Sequence, residues 1–410
     1  MNESTPLKLA VVGAGPVGLA LALHAASALP QAEITVFDAR AIDKDVSGDP
    51  RTLALSLGSV QLLERLGAWR PEQAQRIAEV HVSQQAPSLL AAMSARFGEP
   101  ELTIRAVDEA VPMLGAVLSY GAIVAPLQEV WLAAGRREPK RLMSRFGAGV
   151  EALKNVPGGV EVDAGIAERF DLAVVAEGGV FANAAKKVLV AGEHRPALRH
   201  DYRQTAWVGT ASFVPDGRRE GNGGVAYERF TRHGPAALLP LRDGRAGLVW
   251  CVASDDDPVR ELDATQRVTV LNTIFHPATP RLAEISPLKS FALGLTAERT
   301  LTDGRTVRIG NAAQTLHPVA GQGLNLGMRD AFELVRSLAR MGDVDAVLRK
   351  LEWQRAPDRW AMIAATDFLA RSFTWTLPGA GVARGLGIAA LQALGPLKSA
   401  IARQMMFGSR

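Results

Sequence analysis

Two glycine-rich stretches hold the residue types best suited to chemistry. "GAGPVG" places Gly13, Gly15 and Gly18 in the spacing G-x-G-x-x-G, with Pro16 inside it. A second stretch runs from Gly310 and contains Asn311, His317, Pro318, Gly321, Gln322, Gly323, Leu324 and Asn325. Bare backbone in front of a helix offers unpaired N–H groups and a partial positive charge, so both stretches suit an electron-rich ligand. In the first, Gly13 permits a tight turn and Gly15 lets backbone amides approach a diphosphate. Gly18 lets a helix pack closely on a strand.

The elements that must position these residues are legible on either side. Leu9–Val12 reads as a buried strand, Ala20–Ala28 as a helix, and Ile34–Phe37 as a second strand ending at Asp38. A carboxylate at that place accepts from a ribose hydroxyl. The unit predicts a dinucleotide without telling FAD from NAD. The second stretch decides between them. "TVRIG" reads as a strand, a loop follows, and a helix starts near Leu324 with apolar residues at 331, 334, 335 and 338. Reduced flavin carries negative charge in its N1–C2=O region, which amides of the 321–325 loop would steady. Asn311, at the strand end, could bond the ribityl chain. FAD is therefore the expected cofactor.

These residues carry a resemblance. The chain resembles the class A flavoprotein monooxygenases and, more narrowly, the 2-polyprenyl-phenol hydroxylases of ubiquinone biosynthesis. "GNAAQTLHPVAGQGLNLGMRDA" is similar to that subfamily's pattern throughout, as is "GDPRTLALSLGSVQLLERLGAW", in which the family's flavin-proximal arginine falls on Arg51. "YERFTRHGPAALLPLRDGRAGLVW" and "TDFLARSF" extend the likeness into the middle and C-terminal parts. The departures are Glu177-Gly178 where the wider superfamily has Asp-Gly, no following Ser or Arg at the usual places, and Gly310-Asn311 for Gly-Asp. The first of these motifs contacts flavin and nicotinamide in relatives, so its departure here argues against direct NAD(P)H binding and leaves the electron donor open between NAD(P)H and another reductant.

The resemblance implies an α/β fold: a Rossmann-like FAD-binding domain with a mostly parallel sheet, an inserted antiparallel-sheet substrate domain and a C-terminal helical region. The expected boundaries are 1–78 plus 112–180 plus 297–345 for FAD, 79–111 plus 181–296 for substrate, and 346–410 for the helices. It also implies hydroxylation of a polyprenylated phenol with O2 through a flavin hydroperoxide. His317 and Pro318 would line the flavin face of the pocket. His317 reads as a base or as a loop-holding residue, and the second is preferred because the loop could need its shape alone. Two alternatives stand beside the hydroxylase: a non-hydroxylating FAD oxidoreductase of the prenyl-chain reductase type, and a flavin-binding accessory subunit of a quinone-biosynthesis complex.

Composition bounds the rest. The 410 residues suffice for more than one core, and 48% hydrophobic with 21% charged residues is a globular balance. A net charge of +4 is too mild for a nucleic-acid partner. The lone Cys251 excludes an internal disulfide and any Cys-rich metal site, no metal ligand set is nominated, and a cytoplasmic setting is expected. The glycines and Pro16 argue against reading the N-terminal apolar run as a signal peptide. No acidic residue follows Asp367, while Arg371, Arg384, Lys398, Arg403 and Arg410 do. That tail reads either as a segment resting on an anionic membrane surface, on the inner face of the membrane, or as a basic helix packed on the body.

Overall fold

The computed structural model describes residues 6–85, 99–177, 189–191, 197–215, 223–372 and 380–408. Gly178, nominated above, lies outside them, as do Phe373 and Arg410. The first sheet has the order β20-β21-β12-β1-β2-β8. Here β1 is Lys8–Val12, β2 Glu33–Asp38, β8 Leu142–Phe146, β12 Leu172–Val175, β20 Thr302–Asp303 and β21 Thr306–Arg308. All its neighbours run parallel except β20 with β21.

Strand alternation splits its side chains between two cores. Leu9, Val11, Leu172 and Val174 join a large cluster under α1 (Pro16–Ala28), α3 (Tyr120–Arg137) and α5 (Gly323–Met341). Ala10, Ala173 and Val175 face the opposite way, onto a meander of β9 (Ala152–Val156), β10 (Gly159–Asp163) and β11 (Ala167–Phe170). Both faces are covered, so β1 and β12 read as near-continuous apolar runs. α1 starts with Pro16 at its first turn, where a missing N–H costs nothing. A small sheet, β3-β7-β4, is built from β3 (Thr52–Ser56), β4 (Gln75–Ile77) and β7 (Gly115–Ser119).

The large sheet has the order β22-β19-β14-β17-β16-β15-β5-β6, with β18 also on β14. Its strands are β5 Glu79–Gln84, β6 Glu101–Arg105, β14 Leu198–Phe213, β15 Val225–Thr231, β16 Gly234–Pro240, β17 Ala246–Ala253, β18 Leu282–Ile285, β19 Lys289–Ala297 and β22 Gln314–Thr315. α2 (Leu57–Arg65) follows β3, and α4 (Ala264–Ile274) packs on one face of the large sheet. α6 (Val344–Ser372), α7 (Ala380–Ala393) and α8 (Gly395–Phe407) form the C-terminal helical region.

Three details depart from the sequence reading. The large sheet is not wholly antiparallel: β5 pairs with β15 in parallel. The long stretch of chain between them supplies the crossover that parallel pairing needs. β13 (Leu189–Ala191), expected in the substrate part, pairs with β9 of the meander. β22, expected in the FAD part, pairs with β19, so the loop before α5 belongs to both sheets.

A buried ionic network fixes α5 against α6. Arg355 Nε lies 2.7 Å from Asp330 Oδ1, and Arg355 Nη2 lies 2.8 Å from Asp358 Oδ2. Arg329 reaches Asp358 and donates to the Met405 carbonyl of α8. Breaking one partner of such a network leaves a buried charge uncompensated, which is strongly destabilising.

Candidate functional site: two glycine turns joined by one strand

The three glycines of the first turn do different jobs. Gly13 has φ +104°, and a methyl group there would stand 2.8 Å from the backbone N of Glu177. A methyl on Gly18 would stand 1.9 Å from the Gly13 carbonyl oxygen. Those two glycines are required by the protein's own packing. Gly15 is different: its nearest neighbour at that position is the Tyr120 hydroxyl at 3.5 Å. The space above Gly15 is open, at the N-terminus of α1, where a diphosphate needs it. Exposed Glu177 lies beside the turn through its contact with Gly13.

Asp38 closes the turn as well as facing the ribose position. Its Oδ2 accepts from the Ala14 amide at 2.7 Å, and its Oδ1 accepts from the Arg40 amide at 2.8 Å. Arg40 also pairs with the carboxylate through Nε at 3.1 Å. Arg40 Nη2 donates to Oδ2 at 3.3 Å as well, so the carboxylate's roughly four acceptor positions are taken and a ribose hydroxyl would replace one Arg40 contact.

The second turn meets the first. Gly310, at φ +59°, sits against Val17 of α1, and a methyl on Gly327 of α5 would stand 2.7 Å from Gly310 Cα. Asn311 stands at the mouth, its Oδ1 4.0 Å from where a Gly323 methyl would lie. The first turn of α5 leaves the amides of Gly323, Leu324 and Asn325 without an intrahelical acceptor.

Strand β3 links the two turns. At its start Arg51 lies over the Tyr120 ring, 4.1 Å from the centroid, and the Tyr120 hydroxyl neighbours Gly15. Arg51 also pairs with Asp49 at 2.8 Å, and its side chain is 42% exposed, so it can swing toward an anion. Three residues on, Ala54 Cβ lies 3.4 Å from where a Gly321 methyl would be. At the strand's end the Ser56 amide donates to Asn325 Oδ1 at 2.8 Å, as does Ser59 Oγ. Asn325 Nδ2 donates to the carbonyls of Ala54 and Gly321. The Asn325 side chain is thus spent on holding the loop to β3, and only its backbone can serve a ligand. At about 3.3 Å per residue, Arg51 to Ala54 spans roughly 10 Å.

His317 is 2% exposed and its ring has no free nitrogen. Nδ1 accepts from the Val319 amide at 3.2 Å, which places the proton on Nε2, and Nε2 donates to Gln204 Oε1 at 3.1 Å. Burial lowers its pKa from 6.5 to about 4. Of the two readings of His317, this geometry carries the preferred one: its one lone pair is committed, and it braces the loop. Tyr202 stacks edge-on against it at 5.2 Å and donates to Asp367 at 3.1 Å. Pro318 is exposed on the loop. Gln322 is 7% exposed and faces the interior. Cys251 is buried, and burial pushes its thiol pKa far up, as befits an inert core residue.

The residues present fit FAD: an open amide turn for the diphosphate, an acid for the ribose, and a second helix N-terminus at ribityl distance. Residues 197–366 match the family described as FAD binding domain. The chain is 29% identical over 413 residues to "Ubiquinone hydroxylase UbiL" of Rhodospirillum rubrum, across 97% of this chain and 88% of that protein. It is 28% identical to the 3-demethoxyubiquinol 3-hydroxylase of Escherichia coli, across 96% of each. The fold is shared with HpxO of Klebsiella pneumoniae, solved with FAD and uric acid, at a TM-score of 0.68 and 16% identity over 98% and 97% of the two chains. Over nearly its whole length the chain is similar to class A FAD-dependent monooxygenases.

FAD is accordingly the cofactor of this monooxygenase, and the chain is an oxidoreductase. Sequence reasoning passed over Tyr120, Ser56, Ser59 and Gln204. Tyr120 meets Arg51 because Thr52 pairs with Ser119 across β3 and β7. Gln204 meets His317 across 113 residues of chain. Neither register leaves a local signal.

Proposed function

We propose that this flavin-dependent aromatic-ring hydroxylase acts on a polyprenylated phenol of ubiquinone biosynthesis, with O2 as the oxygen source. What carries the reading is end-to-end similarity to two ubiquinone-pathway hydroxylases, at 29% and 28% identity. Bound FAD, once reduced by NAD(P)H or another reductant, supplies the electrons and the activated oxygen. The protein's part is to bind, orient and keep water out. The Gly321–Asn325 amides would hold the flavin's electron-rich edge. His317, through Gln204 and Val319, sets the loop's height over the large sheet. Val319 packs on Phe230, with Val82 and Leu369 beside them, and this apolar face suits a ring that carries a prenyl chain.

The test is a deletion strain that holds no second copy of the gene. Its lipid extract is expected to accumulate a quinone precursor that lacks one ring hydroxyl. The purified yellow enzyme is expected to incorporate oxygen-18 from labelled O2 into that precursor. A normal quinone profile removes the substrate assignment. Turnover without oxygen-18 in the product removes hydroxylation.

A further inference from the structure

Helices α7 and α8 carry apolar side chains on their outer face as well as their inner one. A helix on a protein surface normally turns its polar side chains to water and its apolar stripe inward. Here Ala383, Leu386, Ala390, Ala393, Leu394 and Leu397 all face outward. Leu386 is 66% exposed, Leu394 52% and Leu397 47%. The spacing 383, 386, 390 and 393 is one helical face of α7, and Leu394 and Leu397 extend the apolar surface past the bend. The polar residues point the other way. Arg384 donates to the Ser372 carbonyl, and Gln392 accepts from the Thr103 amide at 3.0 Å. Lys398 donates to the Thr103 carbonyl at 3.2 Å, Ser399 to Glu109 at 2.6 Å, and Gln404 to Asp358 at 2.8 Å. The pair is anchored to the body by these polar bonds and by Ala402, Met406 and Phe407 in the core, and it presents a second apolar face to its surroundings.

Two further observations select the surroundings. Leu394 joins the two helices at the bend: its amide donates to Ala390 O at 2.9 Å and its carbonyl accepts from the Lys398 amide at 3.0 Å, which fixes this exposed leucine at the outer corner. The pair carries Arg384, Lys398 and Arg403 and no acidic residue; Arg403, 62% exposed, stands at its rim with Nε 3.6 Å from Glu109 of the body. The two helices meet at 96°, and neither is long enough to cross a bilayer.

We propose that the α7–α8 elbow is a docking surface for an anionic phospholipid bilayer, lying in the interface with Leu386, Leu394 and Leu397 among the acyl chains. The elbow packs on β6, since a methyl on Gly385 would stand 2.9 Å from Pro100 Cγ just before that strand. Docking therefore sets the β6 edge of the large sheet against the lipid. This inference stands apart from the substrate assignment, because it needs neither quinone nor turnover.

The test is co-sedimentation of the FAD-loaded enzyme with vesicles of phosphatidylethanolamine and phosphatidylglycerol, and with vesicles of phosphatidylcholine alone. The wild-type protein is expected to bind the first and to bind the second weakly. A Leu386→Ser, Leu394→Ser, Leu397→Ser variant is expected to lose at least tenfold in binding while keeping its FAD content, because the altered side chains already face outward. Absence of wild-type binding, or unchanged binding by the variant, overturns the proposal. Equal binding to both vesicles overturns its anionic part. A wild-type dimer that the triple variant turns into a monomer, with no vesicle binding by either, makes the face a protein interface instead and also overturns it.

Discussion

Gly15→Val separates the ligand's glycine from the fold's glycines. Gly15 has φ −80° and ψ −175°, extended backbone that valine adopts freely. Its Cβ would meet only the Tyr120 hydroxyl, at 3.5 Å. The apoprotein should fold, at a cost of about 1 kcal/mol for a poorer helix cap, a drop of about 2 °C in Tm. FAD should not bind well, because the isopropyl group occupies the diphosphate's place. Losing two amide–phosphate hydrogen bonds at about 1.5–3 kcal/mol each weakens the flavin's Kd by roughly a hundred- to ten-thousand-fold. The assay is quenching of flavin fluorescence on titration into apoprotein, beside thermal melts of both apoproteins. Gly18→Ala is the contrast: its methyl would overlap the Gly13 carbonyl, so it should fail at folding rather than at binding. Wild-type FAD affinity in Gly15→Val would refute the siting of the diphosphate. Loss of apoprotein folding would refute the claim that the space above Gly15 is empty of protein.

Three further outcomes follow from the same geometry. His317 titrates at about 4 when folded and at about 6.5 when unfolded, so the unfolded chain takes up the proton first as pH falls. Its contribution is whole above pH 6.5 and shrinks toward pH 4 by about 3 kcal/mol. His317→Asn, which keeps an acceptor for the Val319 amide, should flatten that part of the urea-unfolding profile, and an unaltered slope contradicts the burial argument. Asn325→Ala strands the Ser56 amide and Ser59 hydroxyl and should cost about 2–3 kcal/mol in denaturant, with faster flavin release; a change under about 0.5 kcal/mol means the tether is idle. Arg51→Ala, at a half-exposed site, should leave stability within about 0.5 kcal/mol and weaken FAD binding about tenfold, while an unchanged Kd removes Arg51 from the site.

What was legible in the sequence was local. The first βαβ unit shows itself because glycine spacing, strand runs and Asp38 all fall within 31 residues of Lys8. α5 shows itself because its apolar face repeats at helical period and Gly342 ends it at φ +71°. The parallel β5–β15 pair, the transfer of β22 to the large sheet and the stacking of Arg51 on Tyr120 are set by contacts distant in sequence. No window around any one of them carries the partner's address. His317 marks the boundary well: its residue type suggested proton transfer, and only the fold shows both nitrogens committed and the ring sealed.

The roles of the two glycine turns follow from the strand between them. A turn of exposed amides at one helix N-terminus is an anion site of no particular identity. A second one, held at a fixed distance, restricts the ligand to an elongated molecule with a charge at one end and an electron-rich group further along. β3 fixes that distance. Arg51 marks one end, at Tyr120 and Gly15, and Asn325 clamps the other through Ser56 and Ser59. The strand is pinned in turn by its pairing with β7, from Thr52 against Ser119 to Ser56 against Gly115. Gly115 is essential to this, since a methyl there would stand 2.1 Å from the Leu55 carbonyl oxygen. A side chain at that position would displace β3 and separate the turns without touching either one. Gly115→Ala is therefore expected to weaken FAD binding in a flavin titration although it lies outside both signature motifs, and an unchanged Kd would contradict the spacing argument.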